Sequence, residues 1–151
     1  MCFKLRDATI DDCILLFNWV NDEQVRSNSF NSDKISLKEH KKWFYKNINS
    51  KTTKIFIACL KNKPIGQIRI DIKDRKGVID FSVDSKLRGK GYGTRILEEV
   101  ILHIKVSGFK IDTLIGKVKK DNISSQKAFQ KAGYKEIFKE KYIMYFFEIK
   151  N

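Results

Sequence analysis

The chain has 151 residues, 42% hydrophobic and 12% aromatic, with eleven Phe and one Pro. That composition excludes a disordered tail, a collagen-like chain or a Pro-rich linker and predicts one domain over residues 1–151. The 31 Lys and Arg against 18 Asp and Glu leave +13, a sign compatible with nucleic acid, acidic surfaces or phosphorylated small molecules; the lysines are spread along the chain with no basic arm, which fits solvated surface equally well.

No stretch reaches the roughly 18 apolar residues of a membrane span, and the opening residues run straight into charges, so a cytoplasmic protein is expected. Cys2, Cys13 and Cys59 are odd in number and widely spaced, which predicts neither disulfides nor a metal site. After a short apolar start at Phe3 to Leu5, Thr9 can cap a first helix in which Ile10, Cys13, Ile14, Phe17 and Val20 recur at helical spacing. A polar turn around Asn28 to Asp33 follows. Ser36 and Glu39 then stand in the capping-box relation ahead of a second helix carrying Leu37, His40, Trp43 and Phe44 on one side.

From Lys54 the period changes to that of strands. IFIACL, the turn KNKP and IGQIRIDI predict a hairpin, with Ile65, Ile68, Ile70 and Ile72 marking a largely buried strand. After a turn at Asp74 to Gly77, the next strand alternates Ile79, Phe81 and Val83 with Asp80, Ser82 and Asp84. A glycine-rich turn leads into a third helix with Ile96, Leu97, Val100, Ile101 and Ile104 on its apolar face. The remainder predicts a strand (Thr113 to Val118), a helix (Ser124 to Ala132) and strands near Tyr134 to Lys139 and Tyr142 to Ile149. The fold class is therefore α/β (α+β): a mixed sheet of six to seven strands flanked by about four helices. Tyr142 to Ile149, read as an exposed edge strand, is compatible with a homodimer.

The strongest chemical signal is Arg88-Gly89-Lys90-Gly91-Tyr92-Gly93 between a strand and a helix. Glycines admit positive φ and turn several N–H groups onto one anion, and the following helix points its positive end there. The spacing is neither a Walker A loop nor G-x-G-x-x-G. A plain tight connection is the alternative.

Arg88-x-x-Gly91-x-Gly93 resembles the acetyl-CoA signature of the GNAT family of N-acetyltransferases, and Asn122, Ser125, Phe129 and Gly133-Tyr134 resemble the run that follows the family's next strand. The resemblance implies a GNAT fold whose central strands, Val78 to Asp84 and Thr113 to Val118, splay apart to admit pantetheine. It implies acetyl-CoA as co-substrate and no metal. The pyrophosphate would rest on Arg88 to Gly93, with Lys90 and Arg88 adding charge, and Asn122, Ser125 and Phe129 would lie along the cofactor. Asn122 reads equally as a helix cap. A backbone N–H near Val83 would meet the oxyanion, and Asp80, beside Ser82, would take the amine's proton; a surface ion pair is the alternative for Asp80. Phe129 stands where many members carry an acidic tyrosine, which leaves Ser125, Tyr134, Tyr92 or water as proton donor.

The N-terminal third should wall the acceptor side. Trp19, Asn21, Arg26, Asn28, Ser29 and Phe30 crowd polar and aromatic groups together, with Arg26 suited to a diphosphate and Glu39 and His40 to orienting an amine; packing and capping are the alternatives. N-W-x-N-D-x-x-V-R-x-N-S-F and E-H-x-x-W-F resemble the N-acetyltransferases that modify UDP-4-amino-sugars on the way to pseudaminic-type and legionaminic-type acids. That implies a UDP-amino-sugar as acceptor, with neither nucleic acid nor membrane as partner. The alternatives are a ribosomal-protein-type N-terminal acetyltransferase and a non-catalytic acetyl-CoA-binding or nucleic-acid-binding module.

Overall fold

The computed structural model describes residues 2–149. In chain order the elements are β1 (Phe3–Asp7), α1 (Cys13–Val20), α2 (Glu23–Asn28), α3 (Leu37–Asn47), β2 (Thr53–Leu60), β3 (Lys63–Lys73) and β4 (Lys76–Val83). Then come α4 (Tyr92–Ser107), β5 (Thr113–Val118), α5 (Ile123–Lys131), β6 (Lys135–Phe138) and β7 (Ile143–Glu148). The strands form a single sheet ordered β1-β2-β3-β4-β5-β7-β6, in which β4 and β5 run parallel and every other neighbour pair is antiparallel.

Strand alternation assigns the two faces. Phe56, Ala58, Ile68, Ile70 and Ile79 lie under α4, whose Ile96, Leu97, Val100, Ile101 and Ile104 are all buried, and Ala128 and Phe129 of α5 complete that layer. At about 1.5–3 kcal/mol for each fully buried large apolar side chain, α4 is the main clamp of this face. On the other face Ile55, Ile57 and Cys59 pack with Cys13, Leu16 and Trp19 of α1 and Phe44 of α3.

The sheet opens between β4 and β5. Their pairing runs only from Lys76↔Thr113 to Ile79↔Gly116, whereas β4 stays paired to β3 as far as Val83↔Gly66 and β5 to β7 as far as Val118↔Ile143. Phe129 sits where pairing stops. A Cβ on Gly116 would lie 2.7 Å from its Cε1, so only glycine lets the ring settle on β5. The ring stacks on Tyr145 (4.9 Å, 8° between planes) and meets Phe81 edge-on at 5.5 Å, wedging into the core at the foot of the gap. Asp84 N–H donates to the Ile65 carbonyl at 2.8 Å. Because successive N–H groups of a strand alternate sides, those of Phe81 and Val83 face away from β3, into the gap.

Several expectations shift. Thr9 caps a short 3-10 turn, Ile10–Asp12, and α1 buries Cys13, Leu16 and Trp19 while Ile10 and Ile14 stay exposed, because the helix starts three residues late and presents a rotated face. A fifth helix, α2, lies in the segment between the first two predicted helices; it is short, polar and buries no residue, so it leaves no apolar period. Ser36 accepts from the Glu39 N–H, the backbone half of the capping box. The β2–β3 turn is only Lys61-Asn62, both at positive φ, so Lys63 and Pro64 belong to β3; a register shift at Ala58/Cys59 lies opposite the proline, which has no N–H to give. Residues 143–148 lie inside the sheet, between β5 and β6, so the free edges belong to β1 and β6 and the expected edge at Tyr142 to Ile149 is corrected.

Candidate active site

The gap between β4 and β5 continues into a cleft of about 610 Å³ bounded by the glycine-rich loop and α5. Gly89 and Gly91 have φ of 79° and 82°, and nothing lies within 4 Å of where a Cβ would be. Gly91 is the N-cap of α4 and supplies no side-chain cap, whereas α2, α3 and α5 are capped by Asp22, Ser36 and Asn122. The first amides of a 16-residue helix therefore open onto the cleft, with the positive end of its dipole behind them. Val83, Arg88, Gly89, Gly91, Tyr92 and Gly93 line the cleft, as do Asn122, Ser125 and Phe129, while Lys90 lies outside the lining. Asn122 accepts from Ser125 N–H at 3.2 Å, and its Nδ2 donates to Ser125 Oγ at 3.1 Å. That leaves the serine proton free to be donated into the cleft.

A second cavity of about 680 Å³ opens on the α1–α3 face. Its floor is a square of polar side chains on one face of the β3–β4 ladder, Gln67 opposite Ser82 and Arg69 opposite Asp80. Gln67 Nε2 donates to Asp80 Oδ2 at 3.3 Å and to Ser82 Oγ at 3.2 Å. The two cavities share Val25, Asn28, Ser29, Asp80, Ser82 and Lys117. Asp80 and Ser82 thus stand at the neck between them.

Helix α2 spans this neck and is tied to both sides of the opening. Arg88, after β4, donates to Asp22 Oδ2 at 2.7 Å and Gln24 Oε1 at 3.0 Å. Lys119, after β5, donates to the Ser27 carbonyl at 3.1 Å, and Phe30 meets Tyr142 edge-on at 6.1 Å. Partial burial raises the Asp22 carboxyl, but Arg88 and the Val25 amide outweigh it and hold the group below its ordinary range.

The remaining expected residues divide between lining and scaffold. Trp19, Arg26, Asn28, Ser29, Phe30, Glu39 and His40 all line the second cavity, but Asn21 does not: its amide brackets the main chain of Ile35 at 2.7 and 2.8 Å. Arg26 does not present a free fork for a diphosphate. Its Nε donates to the Val20 carbonyl at 2.7 Å, Nη1 to the carbonyls of Asn31 and Asp33 at 3.1 Å and Nη2 to Ser29 Oγ at 3.1 Å, so it stitches the loop after α2. Arg88 is likewise engaged with α2, through both Nη1 and Nη2. Trp19 is core, its Nε1 donating to Asp84 Oδ2 at 3.1 Å. His40 is buried against Phe17 and Phe44, with Nε2 2.9 Å from the Cys13 carbonyl, and burial lowers its pKa; the ring packs as a strut in the cavity wall.

Tyr134 is corrected as a proton donor. It is buried outside the cleft lining, its hydroxyl points to the Leu97 carbonyl at 3.4 Å, and desolvation drives its pKa upward. Gln67, Arg69, Lys117 and Lys34 escaped sequence reading. The signal was the polar alternates Gln67, Arg69 and Asp71 within an isoleucine-rich strand, which must face something wet. Among the described residues no cluster of three or more His, Cys, Asp or Glu could hold a metal, and no helix is long and apolar enough to cross a membrane.

The acetyltransferase (GNAT) domain family matches residues 3–135. The chain belongs to this family. GNAT enzymes transfer acetyl from acetyl-CoA to an amine, and the opened sheet with a glycine-built helix terminus is that fold's cofactor side. Among solved structures, the spermidine N-acetyltransferase from Vibrio cholerae in complex with CoA and spermine superposes with a TM-score of 0.85 at 14% identity, over 97% of this chain and 95% of that one. The ribosomal L7/L12 alpha-N-protein acetyltransferase in complex with coenzyme A gives 0.82 at 17%, over 97% and 94%. The aminoglycoside acetyltransferase AAC(6')-Ib with acetyl-CoA gives 0.79 at 16%, over 95% and 93%. At these identities the likeness is one of fold. Comparison with curated protein sequences finds no match.

Proposed function

We propose that this GNAT enzyme acetylates the C4 amine of a UDP-linked amino-dideoxysugar, the step found on the way to pseudaminic-type and legionaminic-type acids. The observation that carries this reading is the second cavity, which meets the cofactor cleft at Asp80, Ser82 and Lys117 and is lined beyond them by Phe30, Trp43, Lys34 and Arg69. Aromatic faces suit a sugar or base, and cations suit a diphosphate.

The residues present fit acetyl-CoA. Open left-handed glycines and the uncapped start of α4 suit its pyrophosphate, and the inward-facing backbone of Phe81 and Val83 suits an extended amide-bearing arm. The bound thioester supplies the activated acetyl group. Asp80, held by Gln67, accepts the proton of the acceptor amine, and Ser82 fixes the amine's approach. The Val83 N–H would face the thioester oxygen as charge builds on it, and the Ser125 hydroxyl would donate a hydrogen bond to the thiolate, which takes its proton from water.

The test is thiol release from acetyl-CoA with product mass, offering a UDP-4-amino-4,6-dideoxy-N-acetylhexosamine beside a ribosomal N-terminal peptide and a polyamine. Turnover of the sugar alone is expected. Turnover of the peptide alone would move the enzyme to the N-terminal acetyltransferase class.

A further inference from the structure

Among the three arginines that line the two cavities, Arg69 is the one whose fork remains open. Arg26 is spent on the α2 loop and Arg88 on α2 itself. Arg69 gives only its Nε, to Asp71 Oδ2 at 3.3 Å, and among the described residues its Nη1 and Nη2 have no hydrogen-bond partner. Asp71 is itself oriented by Thr53 Oγ1 at 3.0 Å. The guanidinium carbon lies 5.3 Å from the centroid of the Trp43 ring, and the side chain is 30% exposed. Ring and carboxylate together fix the guanidinium while its terminal nitrogens stay unused, which lowers the entropy cost of binding a planar oxyanion. Lys34 and Lys117 line the same cavity, and Lys117 Nζ lies 5.6 Å from the Tyr142 ring.

We infer that Arg69, seated on Trp43 and assisted by Lys34 and Lys117, is a phosphate subsite of the acceptor cavity, taking the diphosphate of the acceptor while its amine lies at Asp80. This rests on the acceptor reading above, which left the diphosphate to the cavity's cations as a group. Asp80 lies directly opposite Arg69 in the β3–β4 ladder, so phosphate and reacting amine would be held by neighbouring positions of two paired strands. A rigid pair of strands fixes that spacing better than the loop carrying Arg26.

The test separates binding from turnover. The enzyme is first saturated with CoA to occupy the cradle at Gly91, and UDP, inorganic pyrophosphate and uridine are titrated calorimetrically. UDP and pyrophosphate should bind and uridine should not. Arg69→Gln should weaken both anions at least tenfold, and Arg69→Lys, which keeps the charge without the fork, should recover only part of that loss. In kinetics, Arg69→Gln should lower the kcat/KM preference for the UDP-amino-sugar over the same amino sugar without nucleotide by tenfold or more, with the acetyl-CoA KM within twofold of wild type. Unchanged UDP affinity in Arg69→Gln, or uridine binding as tightly as UDP, would overturn the subsite. If no UDP-amino-sugar is acetylated yet the anions bind through Arg69, the sugar reading fails and the subsite stands.

Discussion

On the α4 side of the neck the surface that meets a ligand is mostly main chain: two left-handed glycines, the first amides of α4 and the unpaired backbone of Phe81 and Val83. On the α1–α3 side it is side chains gathered from several elements, Phe30 beyond α2, Trp43 from α3, Arg69 from β3 and Asp80 from β4. A backbone site needs particular residues at fixed local spacing, because only glycine tolerates the required φ and closeness. A side-chain site needs only that distant residues arrive on one face. The first is written as a motif and the second as a coincidence of registers, so they fail in different ways when mutated.

The largest expected effect breaks the backbone half alone. Gly91→Asp places a side chain at φ 82° and a negative charge at the start of α4, and acetyl-CoA affinity should fall by about 100-fold or more in calorimetry while UDP binding persists. Retained acetyl-CoA affinity would remove the loop from the cradle. Next, Asp80→Asn should lower kcat by about 10²- to 10⁴-fold, with acetyl-CoA binding within twofold of wild type. A variant that keeps its kcat would leave Asp80 no more than a partner of Gln67 on the cavity floor.

Smaller changes sharpen the comparison. Gly116→Ala puts a methyl group into the Phe129 ring and should cost about 1–3 kcal/mol in denaturant unfolding. Adding Phe129→Leu should recover part of that loss, and no recovery would mean that the wedge is not what Gly116 accommodates. Smallest is the Arg6–Asp12 pair, distant from the cleft. Arg6 donates twice to Asp12 at 2.8 and 2.9 Å and holds the carboxyl below its ordinary 3.8. A depressed carboxylate pKa means stability present above about pH 4 and lost as pH falls through the folded value. Asp12→Asn should therefore cost about 1–2 kcal/mol at pH 7, and its stability should converge on wild type in acid. Parallel curves would show that the pair contributes nothing through its charge.

Much of this was legible in sequence where periodicity and local chemistry agree. The apolar stripe of α4, the alternation of β4 and the Gly89–Gly93 turn all depend on neighbours a few residues apart. Helix α2 was not legible, because six residues with none buried carry no period. Nor was the role of Arg26, since arginine suits carbonyls and phosphates alike and only the loop's carbonyls, brought round it, decide between them. Tyr134 looked available beside the Gly133 turn, but its direction into the core is set by packing on Phe129 at 5.0 Å.

Local sequence was enough for the family, the alternation of strands and helices and the glycine-built turn at the head of α4, because glycine spacing and hydrophobic period act over a few residues. It took the packed chain to show which cavity arginine keeps an open fork, which tyrosine is sealed away and that Asp80 stands where two cavities meet. Those outcomes depend on strand register and on the competition among many donors for few acceptors, and both are settled only when segments far apart in the chain pack together.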